Sequence, residues 1–136
     1  TLNNLFDDVT GDENAASDVE YRCFFVHNSH GSLTLLDPKV WISSEVSGGA
    51  VAAIGIDTTA ASAINSASAQ ALTIADESTA PVGVSFSSPT SKGNGLSLGN
   101  IPAGSCRAVW VRRTAQNTVA VDNDGANISI SGDTTA

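Results

Sequence analysis

The sequence predicts an all-β fold: a single β-sandwich with immunoglobulin-like or jelly-roll-like connections and an extended N-terminal arm. About eight short runs are rich in β-branched and aromatic residues, and clusters of Gly, Pro, Asn and Asp separate them roughly every 8 to 14 residues. Few segments show the apolar spacing of an amphipathic helix, and no repeat of fixed period appears. We therefore expect an arm over residues 1–19 and one sandwich domain over residues 20–136.

Apolar runs bounded by turn residues mark the strands of the first half of the chain. EYRCFFVH is rich in aromatic residues, KVWISSEV alternates, and AVAAIGID follows the turn SGG as a return strand. A shorter run, SLTLL, is cut off by the dipeptide Asp37-Pro38. The predicted strands are 20–27, 32–36, 39–46 and 50–57.

The second half opens with a stretch of low complexity, TTAASAINSASAQA at 58–71, which predicts a long loop with at most one helical turn. Short strands are predicted at 72–76 and at 81–88, where Val82, Val84 and Phe86 alternate. A last strand is expected within NISISGD, with Ile128 and Ile130 facing inward. These assignments complete the two layers of the sandwich.

The stretch LSLGNIPAGSCRAVWVRR, residues 96–113, predicts a structural hairpin rather than an active site. Its second strand, at 105–114, has apolar groups on both faces, as a central strand of a sheet does. Cys106, Ala108 and Trp110 share one face, and Arg107, Val109, Val111 and Arg113 share the other.

The charge of the chain argues against nucleic acid as a partner. Six basic residues stand against fourteen acidic ones, for a formal net charge of −8. Phosphate contacts need clustered Lys and Arg, and the only basic cluster is Arg107, Arg112 and Arg113. We interpret these arginines as charges at the end of a strand or as interface residues. No run of about 18 apolar residues predicts a membrane span.

The residues capable of chemistry do not form a recognisable motif. His27 and His30 straddle a strand end and a turn, and no GxSxG elbow supplies a serine nucleophile. The acidic stretches 7–14 and 122–125 do not fit a calcium-binding loop, although a calcium ion that bridges the arm to a neighbour stays open. We therefore expect no enzyme, no cofactor and no metal site.

The two cysteines, Cys23 and Cys106, both lie in predicted strands and lack CxxC spacing. The sequence favours buried free thiols, because nothing marks the chain as secreted. A disulfide across the two sheets, as in immunoglobulin-type sandwiches, remains the alternative.

Two parts of the chain resemble a group of tailed-bacteriophage virion proteins, the head decoration or cement proteins. The resemblance runs from Asn3 to about Arg113, and its most specific pieces are EYRC with the following V.N.H, and IPAG with WVRR. It implies a compact β domain that binds the major capsid protein on the outer capsid surface and stabilises subunit joints. It also implies a homo-oligomer, commonly a trimer, that is assembled in the host cytoplasm.

The arm is the part of the chain that we expect to make such contacts. Leu2, Leu5 and Phe6 are apolar anchors in an otherwise polar stretch, and Arg112 and Arg113 are candidate interface charges. An alternative is a module of a phage tail or fibre that binds a host surface glycan, although Trp41, Trp110 and Tyr21 all lie in predicted core strands. An enzyme is the third and weakest hypothesis.

Overall fold

The computed structural model describes residues 5–134, so the predicted anchor Leu2 lies outside the described residues. The described part holds one α-helix, a short 3₁₀ helix at Lys92–Asn94 and seven strands. In chain order the α-helix and the strands are α1 (Gly11–Ala16), β1 (Val19–His27), β2 (Leu35–Glu45), β3 (Val51–Ile56), β4 (Ser62–Ala63), β5 (Leu96–Ser97), β6 (Ser105–Thr114) and β7 (Ala126–Thr134).

The strands form two antiparallel sheets, as the turn-rich pattern predicts. Sheet A has the order β1-β6-β3, with β4 pairing a further part of β6, and sheet B has the order β5-β2-β7. Buried apolar residues from both sheets form one core, whose members are Val26, Val40, Ile42, Ile54, Leu98, Ile101, Val109 and Val111. The two sheets therefore pack against each other, consistent with a β-sandwich.

The predicted central strand is confirmed in β6, which pairs with β1 along one side and with β3 and β4 along the other. Val109 and Val111 point into the core between the sheets. Trp110 and Ala108 point to the opposite, outer face of sheet A, and they are 4% and 0% exposed. Both faces of the strand are therefore covered, which explains why each carries apolar groups.

Residues 35–45 form one strand where the sequence predicts two. β2 runs through Asp37 and Pro38 with an irregularity in its pairing to β7 between Leu36 and Lys39. Pro38 has no N–H to donate, but its carbonyl accepts from Leu98. The Asp-Pro dipeptide therefore marks a bulge within the strand and does not end it.

The segment between β4 and β5 covers the outer face of sheet A instead of adding strands to it. The strands predicted at 72–76 and 81–88 are absent, and only Ser87 forms a bridge, with Ile54. We call residues 64–90 the covering segment. The backbone N–H of Tyr21 donates to Glu77, and the rings of Tyr21 and Phe86 lie 5.5 Å apart.

The N-terminal segment is not extended throughout, because residues 11–16 form the helix α1. Thr10 caps this helix by accepting a hydrogen bond from the N–H of Glu13, and the Glu13 carboxylate accepts one from the N–H of Thr10. This reciprocal capping box satisfies two backbone donors that a helix start otherwise leaves free. The expectation of an extended arm is therefore wrong for these six residues.

Candidate interaction surface

The N-terminal segment is held to the sandwich by a clamp around Arg113. The guanidinium of Arg113 pairs with the carboxylate of Glu20 and also donates to the backbone oxygen of Asp7. The ring of Phe6 lies 4.8 Å from the Arg113 guanidinium and 5.7 Å from that of Arg22, so it makes a cation–π contact with each of these arginines. The side chains of Arg113 and Glu20 are 13% and 6% exposed, so the charges satisfy each other in a largely dry site.

The predicted anchors Leu5 and Phe6 pack against the core of their own chain. Arg113, one of the two predicted interface charges, belongs to the clamp just described. The other, Arg112, lies on the outer face of sheet A, with its guanidinium 5.3 Å from the ring of Phe86. These side chains therefore make contacts within the described chain.

A second set of contacts joins α1 to the loop that follows β6. The side-chain amide of Asn14 donates to the carbonyl of Thr118 at 2.6 Å and accepts from its N–H at 3.3 Å. The hydroxyl of Thr118 donates to the carbonyl of Gly48, in the turn between β2 and β3. Three separate parts of the chain are thus hydrogen-bonded together at one end of the sandwich.

These three parts enclose a cleft of about 1140 Å³, which we call the terminal cleft. Three of its lining valines are notably exposed: Val46 at 37%, Val51 at 43% and Val119 at 86%. Carboxylates from Asp7, Asp8, Glu45 and Asp124 line the same cleft together with Arg113. It thus combines uncovered apolar surface with an excess of negative charge.

One wall of the terminal cleft is shaped by a close approach between Gly49 and Asp124. The Asp124 carboxylate accepts from the N–H of Ala50 at 2.6 Å and occupies the space that a side chain on residue 49 would need. The Glu45 carboxylate accepts from the N–H of Ala52. Both carboxylates therefore order the backbone of the β2–β3 turn.

A buried carboxylate, Asp57, lies on the outer face of sheet A, directly after the end of β3. It is 1% exposed and accepts hydrogen bonds from Trp110 Nε1 and from the backbone N–H groups of Thr59 and Leu72. Burial raises the pKa of Asp57, but these hydrogen bonds outweigh it, so that the pKa is lowered overall. The arrangement stabilises a carboxylate anion and leaves it no proton to exchange near neutral pH.

The two histidines and the two cysteines do not form one cluster, although His27 lies opposite Cys106 in the register of β1 and β6. His30 Nδ1 accepts from the N–H groups of Ser32 and Leu33 in the turn after β1, and His27 ends that strand. Cys23 and Cys106 are free thiols in the same sheet. In the register of β1 and β6, Cys23 lies opposite Trp110 and Cys106 lies opposite His27. A disulfide across the two sheets is therefore not available. Burial, with the charge of Asp57, raises the pKa of Cys23 to about 11.

Across residues 5–134, no group of three or more His, Cys, Asp or Glu side chains is arranged to hold a metal ion. Within the same residues, no helix is both long enough and apolar enough to span a membrane. The acidic stretches 7–14 and 122–125 each contribute to the terminal cleft, through Asp7, Asp8 and Asp124.

The residues that organise these sites are not among the site residues predicted from the sequence. Two local signals nevertheless point to some of them. The spacing of Thr10 and Glu13 is that of a capping box and predicts the start of a helix. Asp57 is a single carboxylate directly after an apolar strand, a position from which it can bind nearby N–H groups. Nothing local indicates that Glu20 pairs with Arg113, because the two residues are 93 positions apart.

Comparison with protein-family models, with curated proteins and with solved structures gives no match to this chain.

Proposed function

We propose that this protein is a bacteriophage virion structural protein that binds the outer capsid surface and stabilises the joints between capsid subunits. Its partner is the major capsid protein, and it acts as a homo-oligomer without catalytic residues. The resemblance of its sequence to head decoration proteins supports this proposal, as does a body of two antiparallel sheets. The immunoglobulin-like or jelly-roll-like connectivity and the N-terminal arm as an assembly element are parts of the same proposal.

The observation that carries the proposal is the terminal cleft. Val46 and Val119 come from separate parts of the chain, and both are exposed among the residues that line the cleft. Fully covering one such side chain stabilises a complex by about 1.5–3 kcal/mol, and contiguous apolar surface commonly marks an interaction site. Leu5 and Phe6 contribute by fixing the segment that forms one wall of this cleft.

The test uses two valines of nearly equal exposure. Val119 lines the terminal cleft and is 86% exposed, whereas Val82, in the covering segment, is 84% exposed and does not line it. We expect Val119→Asp to weaken co-sedimentation with purified heads that lack this protein by about tenfold or more. Val82→Asp should bind like the unmodified protein. Equal binding by both variants, or no binding by the unmodified protein, contradicts the proposal.

A second candidate function rests on Trp41, which lies on the outer face of sheet B. Its neighbours in β2, Val40 and Ile42, are buried in the core, so Trp41 points away from it and is only partly covered. Beside it the hydroxyls of Ser43 and Ser129 form a 2.8 Å hydrogen bond. An aromatic ring flanked by hydroxyl groups suits a sugar ring, which supports the glycan-binding alternative.

This alternative is tested by tryptophan fluorescence during titration with host surface glycans. Trp110 is 4% exposed with its indole nitrogen bonded to Asp57, so a change on sugar binding should come from Trp41. We expect a saturable change that disappears in Trp41→Phe. A chain that binds heads and shows no such change supports decoration over glycan binding.

A further inference from the structure

The outer edge of β1 is open over the five residues Cys23 to His27. The N–H of Tyr21 donates to the carbonyl of Glu77 on the side away from β6, and the N–H of Asn28 donates to the carbonyl of Ser105, the first residue of β6. Because the direction alternates along a strand, the N–H and C=O groups of Cys23, Phe25 and His27 point to the open side. Within residues 5–134 no backbone group pairs with them.

This open edge lacks the features that normally keep sheet edges apart. Its sequence is CFFVH, without Lys, Asp, Glu or Pro, in a chain whose net charge is −8. Phe25 is 48% exposed on the outer face. On the inner face an apolar groove of about 410 Å³ opens between β1 and β7. It is lined by Leu5, Phe24, Ala126, Ile128 and Ile130.

We propose that two copies of this chain pair through this edge, with their β1 strands antiparallel about a two-fold axis at Phe25. This two-fold pair stands in place of the trimer that the resemblance to decoration proteins implies. The open segment is centred on Phe25, so a two-fold axis at this residue places every open residue opposite another open residue. Phe25 lies opposite its own copy, and Cys23 lies opposite His27 of the partner subunit. All three outward-facing residues then find backbone partners, which makes sheet A continuous across the pair.

The side chains on both faces are suited to this pairing. The two copies of Phe25 become direct cross-strand neighbours on the outer face, where an aromatic pair is favourable. On the inner face Phe24 lies opposite the partner's Val26, so that the apolar grooves of the two copies meet beneath the joined sheet. The segment CFFVH holds no Lys, Arg, Asp or Glu, and His27 lies opposite Cys23, so the proposed register brings no like charges face to face.

The pairing needs only the open edge of β1, so it is tested on the purified chain without a capsid. The groove beneath it shares Leu5, Ala126 and Ile128 with the terminal cleft, so none of these three residues is used as a test site. We expect sedimentation of the full chain to give twice the 13.8 kDa monomer mass, in a concentration-dependent equilibrium. Phe25→Lys should weaken the dimer by about tenfold or more, because it places like charges opposite each other. Val82→Lys, at an exposed residue outside this edge, should leave the dimer unchanged.

A cross-linking experiment tests the register. Under mild oxidation Phe25→Cys should form a covalent dimer, since directly opposed residues of a hydrogen-bonded pair lie about 5.5 Å apart. The unmodified chain and Val82→Cys should not form one. A monomeric or trimeric unmodified chain, a dimer that resists Phe25→Lys, or an uncrosslinked Phe25→Cys dimer would each overturn the proposal. A chain that dimerises only after removal of residues 1–4 would also overturn it.

Discussion

The indole nitrogen of Trp110 donates a 2.7 Å hydrogen bond to the carboxylate of Asp57 on the outer face of sheet A. The same carboxylate accepts from the N–H of Leu72 at 2.9 Å and from that of Thr59 at 2.6 Å. The Asp57 carboxylate, directly after β3, thus joins the central strand β6 to the covering segment. Because Asp57 is 1% exposed, water does not replace any of these bonds.

We expect Asp57→Asn to lower the free energy of unfolding by about 2–3 kcal/mol, because an amide accepts fewer hydrogen bonds and its NH₂ faces other donors. The measurement is urea denaturation at neutral pH. Asp76→Asn is the matched control, since Asp76 is an exposed carboxylate that bonds Ser78 and Thr79 within its own turn. It should change the free energy by about 0.5 kcal/mol or less. Equal losses in the two variants would contradict the role of Asp57.

The stability that Asp57 contributes should depend on pH. Burial raises the pKa of Asp57, but the hydrogen bonds from Leu72, Trp110 and Thr59 together lower it by more than burial raises it. The folded-state pKa therefore lies below the unfolded value. The ionised group therefore stabilises the fold above about pH 4, and this contribution is lost as the pH falls through the folded-state pKa.

We expect the difference in unfolding free energy between the unmodified chain and Asp57→Asn to narrow from pH 7 to about pH 3. Urea denaturation of both proteins across this range measures it. Glu13 and Asp37 also have lowered pKa values, but both residues are present in both proteins, so the difference isolates Asp57. A difference that stays constant with pH would assign the stabilisation to shape and not to charge.

The central part of the fold is predictable from local pattern, because a strand covered on one face alternates with a period of two and a strand covered on both faces is apolar throughout. Val109 and Val111 alternate with Trp110, and both sets are buried, which matches a strand between two neighbours. Val40 and Ile42 show the same alternation in β2. Such a pattern indicates which side chains share a face. It also predicts that Ile128 and Ile130 face inward, and Ile128 packs against the core whereas Ile130 is 42% exposed.

The covering segment shows where that pattern stops being informative. Val82, Val84 and Phe86 alternate, yet Val82 is 84% exposed while Val84 and Phe86 lie over Gly55. Gly83 has a φ of +80°, which interrupts an extended strand. An apolar side chain can be covered by a strand partner or by the face of a sheet, and its spacing is the same in both cases. The terminal cleft is not predictable from local pattern either, because its walls come from distant parts of the chain.

Breaking the buried ion pair between Glu20 and Arg113 should destabilise the fold far more than breaking the exposed pair between Glu77 and Arg22. We expect Glu20→Gln to lower the free energy of unfolding by about 3 kcal/mol, because it leaves the Arg113 charge poorly compensated in a largely buried site. Glu77→Gln makes the same chemical change in the pair with Arg22, whose side chains are 30% and 48% exposed. That variant should lose at most about 1 kcal/mol.

Urea denaturation of the two glutamine variants tests this difference, and a salt series adds a second readout. Raising the salt concentration should reduce the small effect at Glu77 and leave most of the effect at Glu20, because buried charges are screened less. If both variants unfold alike, the clamp around Arg113 does not hold the N-terminal segment as its geometry indicates.

Gly55 gives the last prediction, because the covering segment crosses directly over it. A Cβ at residue 55 would lie 2.5 Å from Val84 Cγ1 and 2.7 Å from the backbone oxygen of Ser85, so one side must move. We expect Gly55→Ala to lower the free energy of unfolding by about 1–3 kcal/mol and to speed thermolysin cleavage within residues 64–90. Gly11→Ala is the control, since within residues 5–134 no atom beyond its own helix backbone and chain neighbours lies within 4 Å of the added Cβ, and alanine favours the helix. Unchanged cleavage in Gly55→Ala would show that the covering segment is not held against β3 at this point.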